Sequence, residues 1–266
     1  MSVLDEVLAD LAAEGDRLEQ WVATLDERRW RLPTPAVGWD VATTIAHLSW
    51  TDDAAVAAAT DPEAWEQLLL RGMADAEQFV DNEAFAAAAA PPAEVLERWR
   101  TGRRRLAEVL VAHPAGEKLP WFGPPMSPSS MATARFMETW AHGTDVADAL
   151  GIDVEPTDRV RHVAHLGVRA RNYAYSVHHL EPPAVEFHVA LRAPSGQTWE
   201  WGPDDAEQSV EGSANDFALL VTHRRHRNDL DVVATGPDAQ QWLDIAQAFA
   251  GPPGEGRQPQ GEASDA

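Results

Sequence analysis

The 266-residue chain has no cysteine, only two tyrosines, and few lysines beside its arginines. Without cysteine there are no disulfides, thiolate zinc sites, iron–sulfur clusters or cysteine nucleophiles. Basic charge is also short: 21 Lys and Arg stand against 43 Asp and Glu, a formal charge of −22. That balance argues against a protein that coats nucleic acid or an anionic membrane surface. Long apolar runs are missing too, and none reaches the ~18 residues of a membrane span. The first residues mix Leu and Val with Asp and Glu, unlike a secretory leader, so the expectation is a soluble, cytoplasmic protein. There is no glycine-rich phosphate loop, nucleophile elbow or H-E-x-x-H motif. Chemistry is left to His, carboxylates, Ser/Thr, Tyr or an imported group.

What is present is a core. A hydrophobic fraction of 44% suits a folded chain of one large domain or two modest ones. Residues 3–29 repeat apolar side chains at spacings of three, four and seven, which predicts one amphipathic helix. Pro33 and Pro35 interrupt it, and Asp40 is placed to cap a second helix over 41–59. Residues 63–90 read as an accessory helical insertion. Further helices are expected over 92–112 and 130–150, the last stopped by Gly151. Four long helices with one insertion point to a four-helix bundle over 1–152.

Beyond it the pattern changes. A leading helix over 157–179 precedes the alternation of Val185, Phe187, Val189 and Leu191, the period of a half-buried strand. Short strands are expected at 198–202, 208–212 and 230–234, with helices over 215–222 and 238–249. The fold class is therefore α+β, with a small α+β domain over 153–250. Residues 251–266, rich in Gly, Pro and Gln, are expected to be disordered.

One helix carries the chemistry. In Arg135-Phe-Met-Glu138-Thr-Trp-Ala-His142-Gly-Thr-Asp145, positions 135, 138, 142 and 145 share one face, within roughly 80°. Glu138 and His142, one turn apart, can meet one metal ion, with Arg135 and Asp145 above and below as supporting partners. The same stripe also suits a solvated helix face. His47, in the middle of an apolar helix, reads as a core histidine or a third ligand. Two His and one Glu are the ligand count of a catalytic zinc site with an open position. Trp50, Trp121 and Trp140 are expected to wall it. Arg135 reads as a carboxylate anchor or as the salt-bridge partner of Glu138 or Asp145. The run 223–227, with His223 and His226 among arginines, reads as a solvated turn, and His162, His165, His178 and His179 as surface residues.

The stretch Pro35-Ala-Val-Gly38-Trp39-Asp40-Val-Ala-Thr-Thr-Ile-Ala-His47-Leu48 resembles the pGW…aHL signature of the mycothiol-dependent maleylpyruvate isomerase family, a group of DinB-like metal-binding bundles. The helix from Arg135 to Asp145 is similar to that family's R-x-x-E-x-x-x-H-x-x-D helix. The likeness is strongest to the subgroup described only as metal-binding proteins. It implies that His47, Glu138 and His142 hold a divalent metal, usually Zn2+, with Arg135 and Asp145 supporting catalysis. It also implies a sterol-carrier-like C-terminal domain, from Gly212–Thr222, and mycothiol or another small thiol as cosubstrate. The thiolate would add to an electrophilic carbon of a small molecule, giving isomerisation or S-transfer. Two other readings stay open: a thiol-free metal-dependent hydrolase, cyclase or lyase, and a non-catalytic protein binding metal and an apolar ligand. No nucleic-acid or membrane partner is expected, and the chain is read as a monomer or homodimer.

Overall fold

The computed structural model describes residues 2–254 and 256–260. The chain divides into two compact units, Met1–Val154 and Glu155 onward.

The first unit is helical. Helix α1 (Val3–Val22) opens on a capping box in which Ser2 and Asp5 satisfy each other's backbone N–H. The single helix expected over 3–29 is in fact two. Asp26 turns the chain by accepting from Arg29 N, and so caps the short α2 (Glu27–Trp30). Helix α3 (Val41–Thr60) starts where Asp40 accepts from Thr43 N at 2.7 Å. Asp61 and Pro62 end it and begin α4 (Pro62–Ala74), which is followed by α5 (Phe79–Ala88). Residues 63–90 are thus two helices, and Ala88 packs into the same cluster as Leu18, Ile45 and Trp99. Helices α6 (Pro92–Ala112) and α7 (Pro128–Leu150) complete the unit. Gly151 ends α7 at φ 66°, a left-handed cap that glycine adopts without Cβ strain.

Helices α1, α3, α6 and α7 pack together as the bundle, with α4 and α5 against α3. Helix α3 is its centre. Fourteen of its twenty residues are buried, so it has no polar face of its own. No helix among the described residues is long and apolar enough to cross a membrane.

The second unit is α+β. A 3-10 turn (Asp158–Val160) leads into α8 (Arg161–Arg169) and α9 (Arg171–Val177), where one helix was expected. The break at Ala170 lets each half pack on a different neighbour. Gly167 of α8 lies so close to Phe217 and Val221 that a Cβ there would meet Val221 at 2.9 Å, while the Tyr175 hydroxyl of α9 donates to Asp238 O. Strands β1 (Phe187–Arg192), β2 (Thr198–Trp201), β3 (Gln208–Ser213) and β4 (Val232–Thr235) form one sheet in the order β2-β1-β3-β4. β1 and β3 run parallel and the outer pairs antiparallel, with Val189 opposite both Trp201 and Val210. Helix α10 (Ala214–Val221), capped by Ser213, joins β3 to β4, and α11 (Pro237–Ile245) follows. Phe187, Phe217 and Trp242 meet ring to ring in this core. The described part of the 251–266 segment has no helix or strand. Gly251 N donates to the Tyr173 hydroxyl, and Gln260 N to Asp229. Residues 255 and 261–266 lie outside the described residues.

Candidate metal centre

Packing of α3 against α7 brings His47 to Glu138 and His142, 91 residues apart in sequence for the first pair. One oxygen of Glu138, Oε2, lies 3.3 Å from His47 Nε2 and 3.3 Å from His142 Nε2. All three ligand atoms fall within 4.8 Å of one another, and among the described residues this is the one His/Cys/Asp/Glu group that converges so. Ligands placed about 2.0–2.1 Å from a tetrahedral zinc ion sit roughly 3.3–3.4 Å apart. The observed spacing therefore fits a shared ion better than a tight hydrogen bond, which runs about 2.7–3.0 Å.

The protonation states suit the same use. Burial pushes His47 down to about 4, against the opposing pull of Glu138, so its imidazole is neutral at pH 7. Burial alone would raise Glu138. Hydrogen bonding to His142 and His47, helped by the Arg135 charge, outweighs it and holds the carboxyl well below the usual range. A neutral His47 imidazole beside an ionised Glu138 results. Asp145, 1% exposed, places Oδ2 3.3 Å from His142 Nδ1. Asp145 is thus placed to accept from His142 Nδ1, and Nε2 would be the ligand atom with an ion bound. His47 Nδ1 is buried and meets no acceptor among the described residues.

Arg135 does something other than expected. Its guanidinium donates from Nε to Asp52 at 3.2 Å and from Nη2 to Thr51 Oγ1 at 2.7 Å. Of its two expected readings, carboxylate anchor or salt bridge to Glu138 or Asp145, the ion pair forms with Asp52 instead, because its side chain crosses to α3. Arg135 is 3% exposed and Asp52 4%. Burial raises the Asp52 carboxyl to about 6 although Arg135 pulls it down.

The aromatic walls are only partly those foreseen. Trp50 lies 6.1 Å from the His47 ring. Trp121 stacks on Trp65 instead of a ligand. Trp140 is two residues from both Glu138 and His142, about 200° round the helix from each, and so points away from them. Trp39, within the quoted motif but not foreseen as a site residue, is closer than any of these. Its ring is 5.0 Å from His47 and stacks on His142 at 5.6 Å. Its N–H donates to Asp81 of α5 at 3.0 Å, so the 63–90 segment holds this wall in place. Its position just before the N-cap Asp40 was the available signal. For Asp52 there was none, since α3 has no polar face to single it out.

Within the second unit, His165 accepts from Trp201 Nε1, and His223 Nε2 lies 3.0 Å from Ala246 O.

Comparison with known proteins identifies the family. Residues 11–147 match the mycothiol maleylpyruvate isomerase N-terminal domain. The chain belongs to that family. Its relatives include two uncharacterized proteins of Mycobacterium tuberculosis, MT0041 of strain CDC 1551 and Rv0036c of strain H37Rv. Each is 58% identical over 250 residues, 94% of this chain and 97% of the relative. The fold is shared with crystal structures of the mycothiol-dependent maleylpyruvate isomerase and of a histidine-to-alanine mutant of it. TM-scores are 0.57 and 0.58 at 14% and 15% identity, over 88% of this chain and 95% of theirs. Residues 183–235 also match a family described as Wyosine base formation, too little of the chain to assign it there.

Proposed function

We propose that this chain is a divalent-metal-dependent enzyme of the maleylpyruvate isomerase type. In this reading it works in the cytoplasm on a small electrophilic molecule with mycothiol or a similar thiol. The observation that carries the reading is the single Glu138 oxygen 3.3 Å from two imidazole Nε2 atoms. His47, Glu138 and His142 would hold the ion, with zinc best matched to two imidazoles and a carboxylate. A bound ion would supply Lewis acidity and favour a thiol as its thiolate.

The chain's own residues do the rest. Asp145 fixes the tautomer and orientation of His142. Trp39 covers the outer side of both imidazoles and limits water. Arg135, tied to Asp52 and Thr51, contributes positive charge that keeps Glu138 ionised. Glu138 is the most accessible of the three, its side chain 22% exposed, and offers the approach to the site. With no cysteine in the chain, reactive sulfur has to come from outside.

Elemental analysis of the purified protein tests the first layer: about one equivalent of a transition metal is expected, and below half an equivalent the reading fails. Turnover of cis-configured, carbonyl-conjugated alkenes with mycothiol tests the second. A thiol that neither accelerates turnover nor alters the visible spectrum of cobalt-loaded protein would sink the thiol requirement and leave the metal site standing.

A further inference from the structure

The rings nearest the ligand triad do not stop at it. From Trp50, 6.1 Å from His47, the contacts continue to Phe79 at 5.3 Å and Phe122 at 6.4 Å. Phe79 and Phe122 meet at 5.7 Å, and Trp65 and Trp121 lie against Phe122 at 4.9 and 5.2 Å. Phe122 is 42% exposed, so this row of rings begins at the surface and ends at a candidate metal ligand. Tilted and edge-on rings of this kind make favourable partners for another planar apolar group.

Charge on the same helices favours the same kind of occupant. α3 and α5 contain no Lys or Arg, and α7 contains Arg135 alone. Arg135 is buried, with its guanidinium given to Asp52 and Thr51. Neither ligand-bearing helix therefore presents an uncommitted cation to a substrate carboxylate. One polar feature remains on the row: Trp50 Nε1 is buried and meets no acceptor among the described residues. A buried N–H left so is costly, and a carbonyl oxygen entering beside the ring would satisfy it.

Resting on the function proposed above, we infer that the electrophile is a carbonyl-conjugated alkene bearing an apolar planar group, not a dicarboxylate, and that Trp50, Phe79 and Phe122 set this preference. Addition of the thiol needs no further reactant. Sulfur bonds to the β-carbon of the C=C, the π electrons move toward the carbonyl, and the thiol proton ends on the α-carbon.

The test is calorimetric titration of the full chain, at measured metal content, with benzalacetone (an aryl enone) and with maleate. Benzalacetone should bind at least about tenfold more tightly than maleate. Loss of one ring contact should weaken benzalacetone binding by about three- to tenfold. That loss is expected in both Trp50→Ala and the surface variant Phe122→Ala, with maleate binding and metal content unchanged, and Trp50→Phe should restore the ring contact but not the contribution of the N–H. Maleate binding as tightly as benzalacetone, or ring variants that leave benzalacetone binding unaltered, would overturn the inference. Metal content in the same samples reads the underlying metal proposal separately, because ring preference is measured by binding and needs no turnover.

Discussion

Between Met1 and Val154 the core takes in Glu14, His47, Asp52, Arg135 and Asp145, each at most 6% exposed. In the second unit the buried polar residues are Thr222 and Gln247, beside the Tyr175 hydroxyl, and among its described residues no Asp, Glu, His, Lys or Arg is buried. The second unit is held as small domains usually are, by Phe187, Phe217, Trp242 and the apolar faces of the sheet. The first accepts an expense that the second avoids. An unpaired buried charge costs several kcal/mol, and even a paired one is often no more stabilising than apolar residues of the same volume. Under the function proposed above, such groups persist in one unit because they serve the metal site there. Four of the five, all but Glu14, belong to the triad or to its immediate supports.

The comparison can be broken most severely at the buried pair. Asp52→Ala strands the Arg135 charge and should cost about 3–5 kcal/mol in urea unfolding of the full chain. The double change Asp52→Leu with Arg135→Met should recover most of that. Trp242→Ala should destabilise the second unit by a similar ~3–5 kcal/mol through cavity formation, yet leave metal stoichiometry untouched. Equal effects of both on metal content would erase the contrast between the units.

At the ligands, Asp145→Asn keeps the volume but loses the anionic acceptor for His142 Nδ1. Metal affinity should fall about 10- to 100-fold, measured by competition with a chelating indicator. Smaller again is the cap. Asp40→Ala removes the acceptor for Thr43 N beneath the Trp39 wall and should cost about 1 kcal/mol.

The smallest effect lies in the second unit. Burial holds His223 below its ordinary pKa, so the unfolded chain takes up that proton first as pH falls. Stability from this group is present above about pH 6.5 and is lost as pH drops from there toward the folded pKa. His223→Gln should flatten that part of the profile in thermal unfolding at pH 5 to 7.

Much of the local structure was legible because its causes are local. Asp40 caps α3, Gly151 ends α7, and the alternation through Phe187, Val189 and Leu191 marks β1. Glu138 and His142 could be paired on paper because one helical turn fixes their spacing. Where reading failed, the cause was packing. The kink at Ala170 follows from α8 and α9 meeting different helices. The partner of Arg135 was misjudged because Asp52 is 83 residues away on another helix. Trp39 went unrecognised as a wall because its anchor, Asp81, sits in a segment read as an accessory.

The sequence by itself determined the chemical vocabulary. With no cysteine and two motif helices, it left His and Glu to hold any metal, and any reactive sulfur would have to come from outside the chain. It also set helix ends and strand periods, which depend on neighbours a few residues away. Only the tertiary structure decided that His47 joins Glu138 and His142, that Arg135 is spent on Asp52, and that the Trp39 indole lies against both imidazoles. Those facts depend on how α3 packs against α5 and α7, and a helix buried on all sides carries no periodic mark of which residue faces which neighbour.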